Sequence, residues 1–311
     1  SCGLSLTKGI AEYISAKEAI LSPATIRGYR VVQKNRFQSL MQTRLNNISF
    51  MNLQKAVNEE AKTCSPKTIR NAVGLLYAVL KFHSIDMQPV ALPQKIDKEK
   101  QIYTEDELRK LFDTVRGTDL EIVVLLACWL GMRRSEIIGL KWEDVDLKKK
   151  SLLVASALVL DENNKYVEKG TKTEKSRRRF TLPDYIVDLL SNAPHDGPRV
   201  VMTSPQTIRN RLVAATERVG IPFYGLHALR HMNASIMLSL NTPDKYAMER
   251  GGWSSDKTMK KIYQHTMTAE REKVDASIDA YFDAIVQKQT PRRWHIKKSN
   301  FATILSRSQK A

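Results

Sequence analysis

Apolar positions recur with a helical period along most of the chain. Behind Ser65-Pro66-Lys67-Thr68, the residues Ile69, Val73, Leu76, Tyr77 and Leu80 fall on one face of a 3.6-residue spiral. Val274, Ile278, Tyr281, Phe282 and Ile285 do the same over about 269–286. Three helix starts share one spelling: Ser22-Pro23, Ser65-Pro66 and Ser204-Pro205 open SPATIR, SPKTIR and SPQTIR. Serine caps the free N–H groups, and proline suits the first helical position. Capping is the plain reading of these sites; anion binding at a helix N-terminus, with an arginine one turn in, is the sharper one. Thr104-Glu105-Asp106-Glu107 is a capping box. Helices are expected over about 104–116, 118–131, 133–140, 184–191, 205–219, 226–240, 243–250, 255–264 and 269–286.

The period changes at Ser151. SLLVASALVL is rich in strand-forming residues, Asp161–Asn164 reads as a turn, Lys165–Glu168 as a returning strand, and RRRFTL before Pro183 as another. The expected fold is mainly α with a small antiparallel β-sheet. Pro89-Val90-Ala91-Leu92-Pro93 breaks the first helical block, and the charged stretch after it lacks periodicity. The division this predicts is 1–95 (a helical domain), 96–103 (linker), 104–290 (a second domain) and 291–311 (a basic tail).

Charge adds a partner to this picture. The chain of 311 residues carries a net charge of +17. Residues 1–95 hold 13 basic against 5 acidic side chains, residues 96–286 hold 30 against 28, and residues 287–311 hold 7 against 0. Basic ends around a near-neutral middle suit a polyanion, most simply nucleic acid. The same charge would also serve a membrane surface or solubility. The longest apolar run, Ile122–Leu130, is a buried helix and too short for a membrane span. Cys2, Cys64 and Cys128 form no paired set, which points away from disulfides and zinc and toward a reducing compartment.

Four segments hold groups suited to a phosphodiester: Gly131-Met132-Arg133-Arg134-Ser135-Glu136, Gly170-Thr171-Lys172-Thr173, Leu226-His227-Ala228-Leu229-Arg230-His231, and Gly251-Gly252-Trp253 with Tyr263-Gln264-His265. Two arginines can clamp phosphate oxygens and stabilise the charge of a pentavalent transition state. A lysine and a histidine can move protons. A tyrosine hydroxyl can attack and hold the phosphate covalently.

In order and spacing these boxes resemble the tyrosine recombinases, or phage-type integrases. GMRRSEIIGL is similar to the first-arginine box, GTKTEKSRRRFTLP to the lysine hairpin, LHALRH to the His-x-x-Arg box, and GGWSSDKTMKKIYQH to the closing box. The resemblance implies a catalytic set of Arg133, Lys172, His227, Arg230, Trp253 and Tyr263, with Glu136 in support. Lys175 competes with Lys172, and Tyr246 and Tyr281 lie outside the box that holds Tyr263. Trp253 stands where histidine is commoner, Arg134 where many members are aliphatic, and Ala228 where aspartate is frequent. Trp253 can donate through its indole N–H but is neither acid nor base.

DNA-contact candidates are Arg27, Arg70, Arg177, Arg179, Arg209 and His231. His231 and His265 are otherwise read as structural, Lys148–Lys150 as a solvated turn, and Arg134 as facing solvent or DNA.

The implied whole is a C-shaped clamp of a helical core-binding domain and a catalytic domain around double-stranded DNA attachment sites. It would act as a homotetramer in the cytoplasm, associated with the nucleoid when on DNA, with no cofactor and no metal. Accessory DNA-bending or directionality proteins are further partners of this type. The helix at 269–286 would pack on its own domain or on a neighbouring subunit. The start at Ser1-Cys2-Gly3, with no room for an arm-binding domain, is read as that of a truncated chain. The implied activity is integration or excision of a mobile element. Chromosome-dimer resolution, a type IB topoisomerase and an inactive DNA-binding accessory protein of the same fold are the alternatives.

Overall fold

The computed structural model describes residues 3–95, 101–170, 177–253, 255, 278 and 280. The chain divides into two compact units, residues 1–265 and 266–311. Of the second, only residues 278 and 280 are described, both helical and exposed. Residue 255, the expected start of a helix to 264, is not helical; the rest of that stretch and nearly all of 269–286 lie outside the described residues.

The first helices are α1 (Leu6–Lys17), α2 (Pro23–Asn35), α3 (Gln38–Met41), α4 (Phe50–Ala61) and α5 (Pro66–Phe82). Their buried faces share one cluster, in which Leu6, Ile10, Leu45, Leu53, Val57 and Val79 are wholly excluded from solvent. The α5 stripe expected from the sequence turns inward at Ile69, Val73, Leu76 and Leu80. The capping reading of the three serine–proline starts agrees with the geometry. Ser22, Ser65 and Ser204 each accept the N–H of the residue three ahead, at 3.2, 3.2 and 3.1 Å. Each hydroxyl also meets that threonine's hydroxyl, at 2.8, 2.9 and 2.8 Å.

A second cluster is built from α6 (Glu105–Val115), α7 (Asp119–Cys128), α8 (Arg134–Gly139), α9 (Asp184–Ser191), α10 (Pro205–Arg218) and α11 (Leu226–Ser239). Every residue of α7 from Leu120 to Cys128 is buried, and all but Glu121 are apolar. Its one acidic core residue, Glu121, accepts the Gly117 N–H at 2.6 Å and the Tyr185 hydroxyl. Burial pushes the Cys128 thiol up to about 12, which leaves it unreactive. Among the described residues, no helix is long and apolar enough to cross a membrane.

The β-rich stretch makes two small antiparallel sheets rather than the single one expected. The run 151–160 breaks at Ala155 into β2 (Ser151–Val154) and β3 (Ser156–Leu160). β2 lies between β1 (Val145–Asp146) and β5 (Arg178–Thr181), with Leu152 opposite both Val145 and Phe180. β3 pairs with β4 (Tyr166–Gly170) as a hairpin, closed by the Asp161–Asn164 turn that the sequence signals. β3 packs on α8 so closely that a Cβ on Gly139 would sit 2.8 Å from the Leu158 backbone nitrogen. The hairpin turn also meets α2. Arg27 donates twice to the Asn164 side chain, at 3.1 and 3.0 Å, and Arg30 pairs with Glu162 at 2.8 Å.

The helix α12 (Asp244–Gly251) ends at Gly252, which takes a left-handed φ of 62°. With α11 it encloses a small third cluster of Ala234, Met237, Ala247 and Trp253.

Candidate active site

The site grows from the turn between α7 and α8. Gly131 has a φ of 65°, and a Cβ there would lie 2.6 Å from the Asn233 side-chain oxygen, so only glycine fits. The turn delivers Arg133 to the N-cap of α8 in an extended conformation. Glu136, in the first turn, reaches back. One carboxylate oxygen accepts the Arg133 backbone N–H at 2.7 Å, and the other accepts Arg133 Nη1 at 2.7 Å. Arg133 Nη2 donates to the Gly252 carbonyl at 2.5 Å. The Arg133 side chain stays 39% exposed, so it still presents a face to solvent.

Arg230 enters from α11 and is 2% exposed. It donates to the Gly131 carbonyl, and to the Gly251 carbonyl at 2.6 Å. Its guanidinium lies over the Trp253 ring, 4.7 Å from the centroid. Trp253 is itself buried and folds back over Gly251, where a Cβ would fall 2.1 Å from its ring. Tryptophan at this position therefore supplies a floor for the arginine. His227 sits one turn before Arg230 on the exposed side of α11. Its ring meets that of the buried His231 edge-on, at 4.5 Å.

Arg178 on β5 completes the cluster. Its side chain is 4% exposed. Nη1 and Nη2 take both oxygens of Glu136, at 3.1 and 2.6 Å, and Nε donates to the Arg250 carbonyl at 3.1 Å. Sequence reasoning missed this residue and named its neighbours Arg177 and Arg179, which are exposed. A signal was present: on a strand, Arg178 shares a face with Phe180 and, just past the strand end, lies in phase with Leu182, and both apolar residues are buried.

Three guanidinium groups and one carboxylate leave an excess of positive charge at this spot. Burial would raise the Glu136 carboxyl, but Arg178, and after it Arg133, hold it down to about 2. Burial, reinforced by the Arg133 and Arg178 charges, lowers Arg230 to about 9 against the pull of Glu136, so Arg230 remains a cation at neutral pH. Beside the cluster opens a cavity of about 540 Å³ lined by Arg133, Arg134, Ser135, Arg209, Phe223 and His227. A concave, cationic, partly exposed surface of this kind suits a phosphate group. Among the described residues, no group of three or more metal-ligating side chains gathers.

Of the residues expected from the sequence, Arg133, Glu136, His227, Arg230, His231 and Trp253 converge here, and Arg209 lines the same cavity with its guanidinium over Phe223 at 5.3 Å. Arg134 is exposed at its edge. Arg179 donates to the Ser151 hydroxyl at 3.2 Å. Arg27 lies against the hairpin turn, and Arg70 donates to the Pro93 carbonyl at 2.9 Å, apart from the cluster. Lys172, Lys175, Tyr263 and His265 lie outside the described residues.

Known proteins give the cluster a context. The tyrosine recombinase XerC-like protein of Caldanaerobacter subterraneus subsp. tengcongensis is 25% identical over 220 residues, covering 61% of this chain and 56% of its own length. The integrase of Staphylococcus phage L54a is 24% identical over 305 residues, covering 82% of this chain and 84% of its own. Among solved structures, the Tn1549 transposon integrase in complex with transposon right end DNA superposes with a TM-score of 0.68 at 16% identity, over 88% of this chain and 100% of that one. Since the sequence also matches the phage integrase family over residues 101–270, more than half its length, the chain belongs to that family.

Proposed function

We propose that the chain is a site-specific DNA recombinase that integrates or excises a phage or integrative mobile element. The observation that carries this reading is the meeting of Arg133 and Arg230, from boxes far apart in sequence, on neighbouring carbonyls at the end of α12, with Arg133 and His227 lining a partly exposed cationic pocket beside them. Two arginines held by buried acceptors are preorganised for charge that develops on a phosphate.

In this reading Tyr263 attacks the scissile phosphorus and forms a 3′-phosphotyrosine as the bond to the 5′ oxygen breaks. His227 takes the tyrosine proton, and Lys172, with Lys175 as second choice, gives one to the leaving oxygen. Arg133 and Arg230 stabilise the pentavalent transition state, and Trp253 holds Arg230 in place. The freed 5′-hydroxyl of a second duplex then attacks the phosphotyrosine and restores tyrosine. The phosphotyrosyl ester keeps the phosphodiester's energy, so the exchange needs no ATP.

Two duplexes with two half-sites each call for a homotetramer on double-stranded DNA, with accessory DNA-bending or directionality proteins as further partners. Residues 1–95 and 104–290 form the two arms of a clamp around the duplex, joined by 96–103, and the basic tail 291–311 adds phosphate contacts. Arg27, Arg70, Arg177, Arg179, Arg209 and His231 are the proposed DNA contacts, with phosphates dominating over base edges. Chromosome-dimer resolution is the second reading, favoured by the XerC-like relative's name.

The test is covalent trapping on a nicked suicide duplex carrying the junction sequence at the end of the element that encodes the chain. Wild-type protein forms an adduct that Tyr263→Phe does not. An adduct that persists in Tyr263→Phe moves the nucleophile to another residue. Tight binding without an adduct from either protein leaves an inactive accessory protein. Recombination confined to paired chromosomal sites would select the dimer-resolution reading.

A further inference from the structure

Three consecutive carbonyls at the end of α12 each accept a hydrogen bond from a different arginine. Arg250 O takes Arg178 Nε at 3.1 Å, Gly251 O takes Arg230 Nη2 at 2.6 Å, and Gly252 O takes Arg133 Nη2 at 2.5 Å. Arg133 and Arg230 belong to the proposed catalytic set. Arg178 does not: its Nε, Nη1 and Nη2 all donate to acceptors within the protein.

A buried arginine needs a reason. On the inward face of β5, beside Phe180, an apolar side chain would serve stability as well or better, because desolvating a guanidinium is expensive even when it is paired. What Arg178 supplies is geometry. Its fork fills the remaining acceptor positions of Glu136, so that each carboxylate oxygen receives one bond from Arg133 and one from Arg178. The carboxylate plane is then fixed by four donors. Without Arg178, Glu136 would hold Arg133 only within its own helical turn, with nothing tying the carboxylate to β5 and only the Arg133–Gly252 bond reaching the end of α12. The fit around the fork is close: a Cβ on Gly252 would lie 3.0 Å from Arg178 Nη1 and 3.4 Å from Arg133 Nη1.

We propose that Arg178 is a positioning residue for DNA cleavage, whose guanidinium locks Glu136, and through it Arg133, in register with the Arg250–Gly252 turn that carries Trp253 and leads toward Tyr263. This rests on the recombinase reading above. It makes β5 more than a framework strand. The same strand follows the Lys172 segment directly, so one buried side chain ties the lysine box to the first-arginine box and to the closing box. A misplacement of about 1 Å at a reacting centre costs about 10²-fold in rate, which sets the scale of the effect.

The experiment measures the rate of covalent adduct formation on the nicked junction duplex as a function of DNA concentration, for wild type, Arg178→Met, Arg178→Lys, Glu136→Gln and the double variant Arg178→Met/Glu136→Gln. Melting curves give the folded fraction of each. The expected result is a fall of about 10²-fold in the rate at saturating DNA for Arg178→Met, with half-saturation unchanged. Arg178→Lys keeps the charge without the fork and falls between. The double variant is no slower than the slower single variant, because both substitutions break one unit.

A wild-type rate per folded molecule in Arg178→Met overturns the proposal, as do additive losses in the double variant. Should Arg178→Met not fold, Arg178→Lys decides, and a wild-type rate there overturns the role of the fork. Failure of the wild type itself to form an adduct would instead bring down the recombinase reading.

Discussion

Glu136 shows how much a single side chain carries here. It is the acceptor that lets two arginines lie side by side, and its carboxyl is held at about 2 against an ordinary value of 4.5. Because the folded value is the lower one, the stabilisation is complete above about pH 5 and is lost as pH falls toward 2. A shift of this size corresponds to on the order of 3 kcal/mol. Urea midpoints of the wild type should therefore fall over that window, while those of Glu136→Gln should lose this component of the slope. Glu136→Ala, which leaves Arg178 buried without its counter-charge, should cost on the order of 3–5 kcal/mol at neutral pH, read by chemical denaturation. Lys172 has a chemical test. If it protonates the leaving oxygen, Lys172→Ala should lose most cleavage on ordinary DNA and regain it on a duplex with sulfur at the scissile 5′ position, since a thiolate leaves without an acid. No recovery would move the role to Lys175.

Among helices and strands, packing decided what local propensity left open. The three Ser-Pro-x-Thr starts are one capping device used three times, yet the arginines that follow them go to an asparagine side chain, a backbone carbonyl and an aromatic face. The cap was legible from spelling. The fate of each arginine was not, because it depends on which element lies opposite. The break at Ala155 was likewise hidden, since the weak strand formers Ala155-Ser156-Ala157 lie between two strongly strand-forming stretches without a turn signal and only the partners divide the run between two sheets. The contact of α8 with β3 gives a prediction. Gly139→Ala would press a methyl group against the Leu158 and Ala157 backbone, which cannot swing aside. It should destabilise by about 1–3 kcal/mol in thermal melts, with the loss appearing at neutral pH and in the absence of DNA.

Across the whole chain, the basic excess concentrates in residues 1–95 and 287–311. In the proposed function this charge releases counterions from DNA. For about 6–10 neutralised phosphates the affinity should fall by about 10³–10⁵-fold between 50 and 200 mM salt, measured by fluorescence anisotropy on the junction duplex. A shallow dependence would mean that the basic ends do not meet the backbone. Family, mainly helical class and the four boxes were already legible in the linear chain, because motif order, helical period and net charge are local or additive properties. Folding alone brought three arginines from three boxes onto three successive carbonyls and turned Trp253 into the floor beneath Arg230; strand alternation marks Arg178 as the inward one of its run, but not the acceptors it meets. The reason is physical. Beyond the local Arg133–Glu136 pair, this buried hydrogen-bond network is satisfied by groups distant in sequence, and no window along the chain contains all its partners.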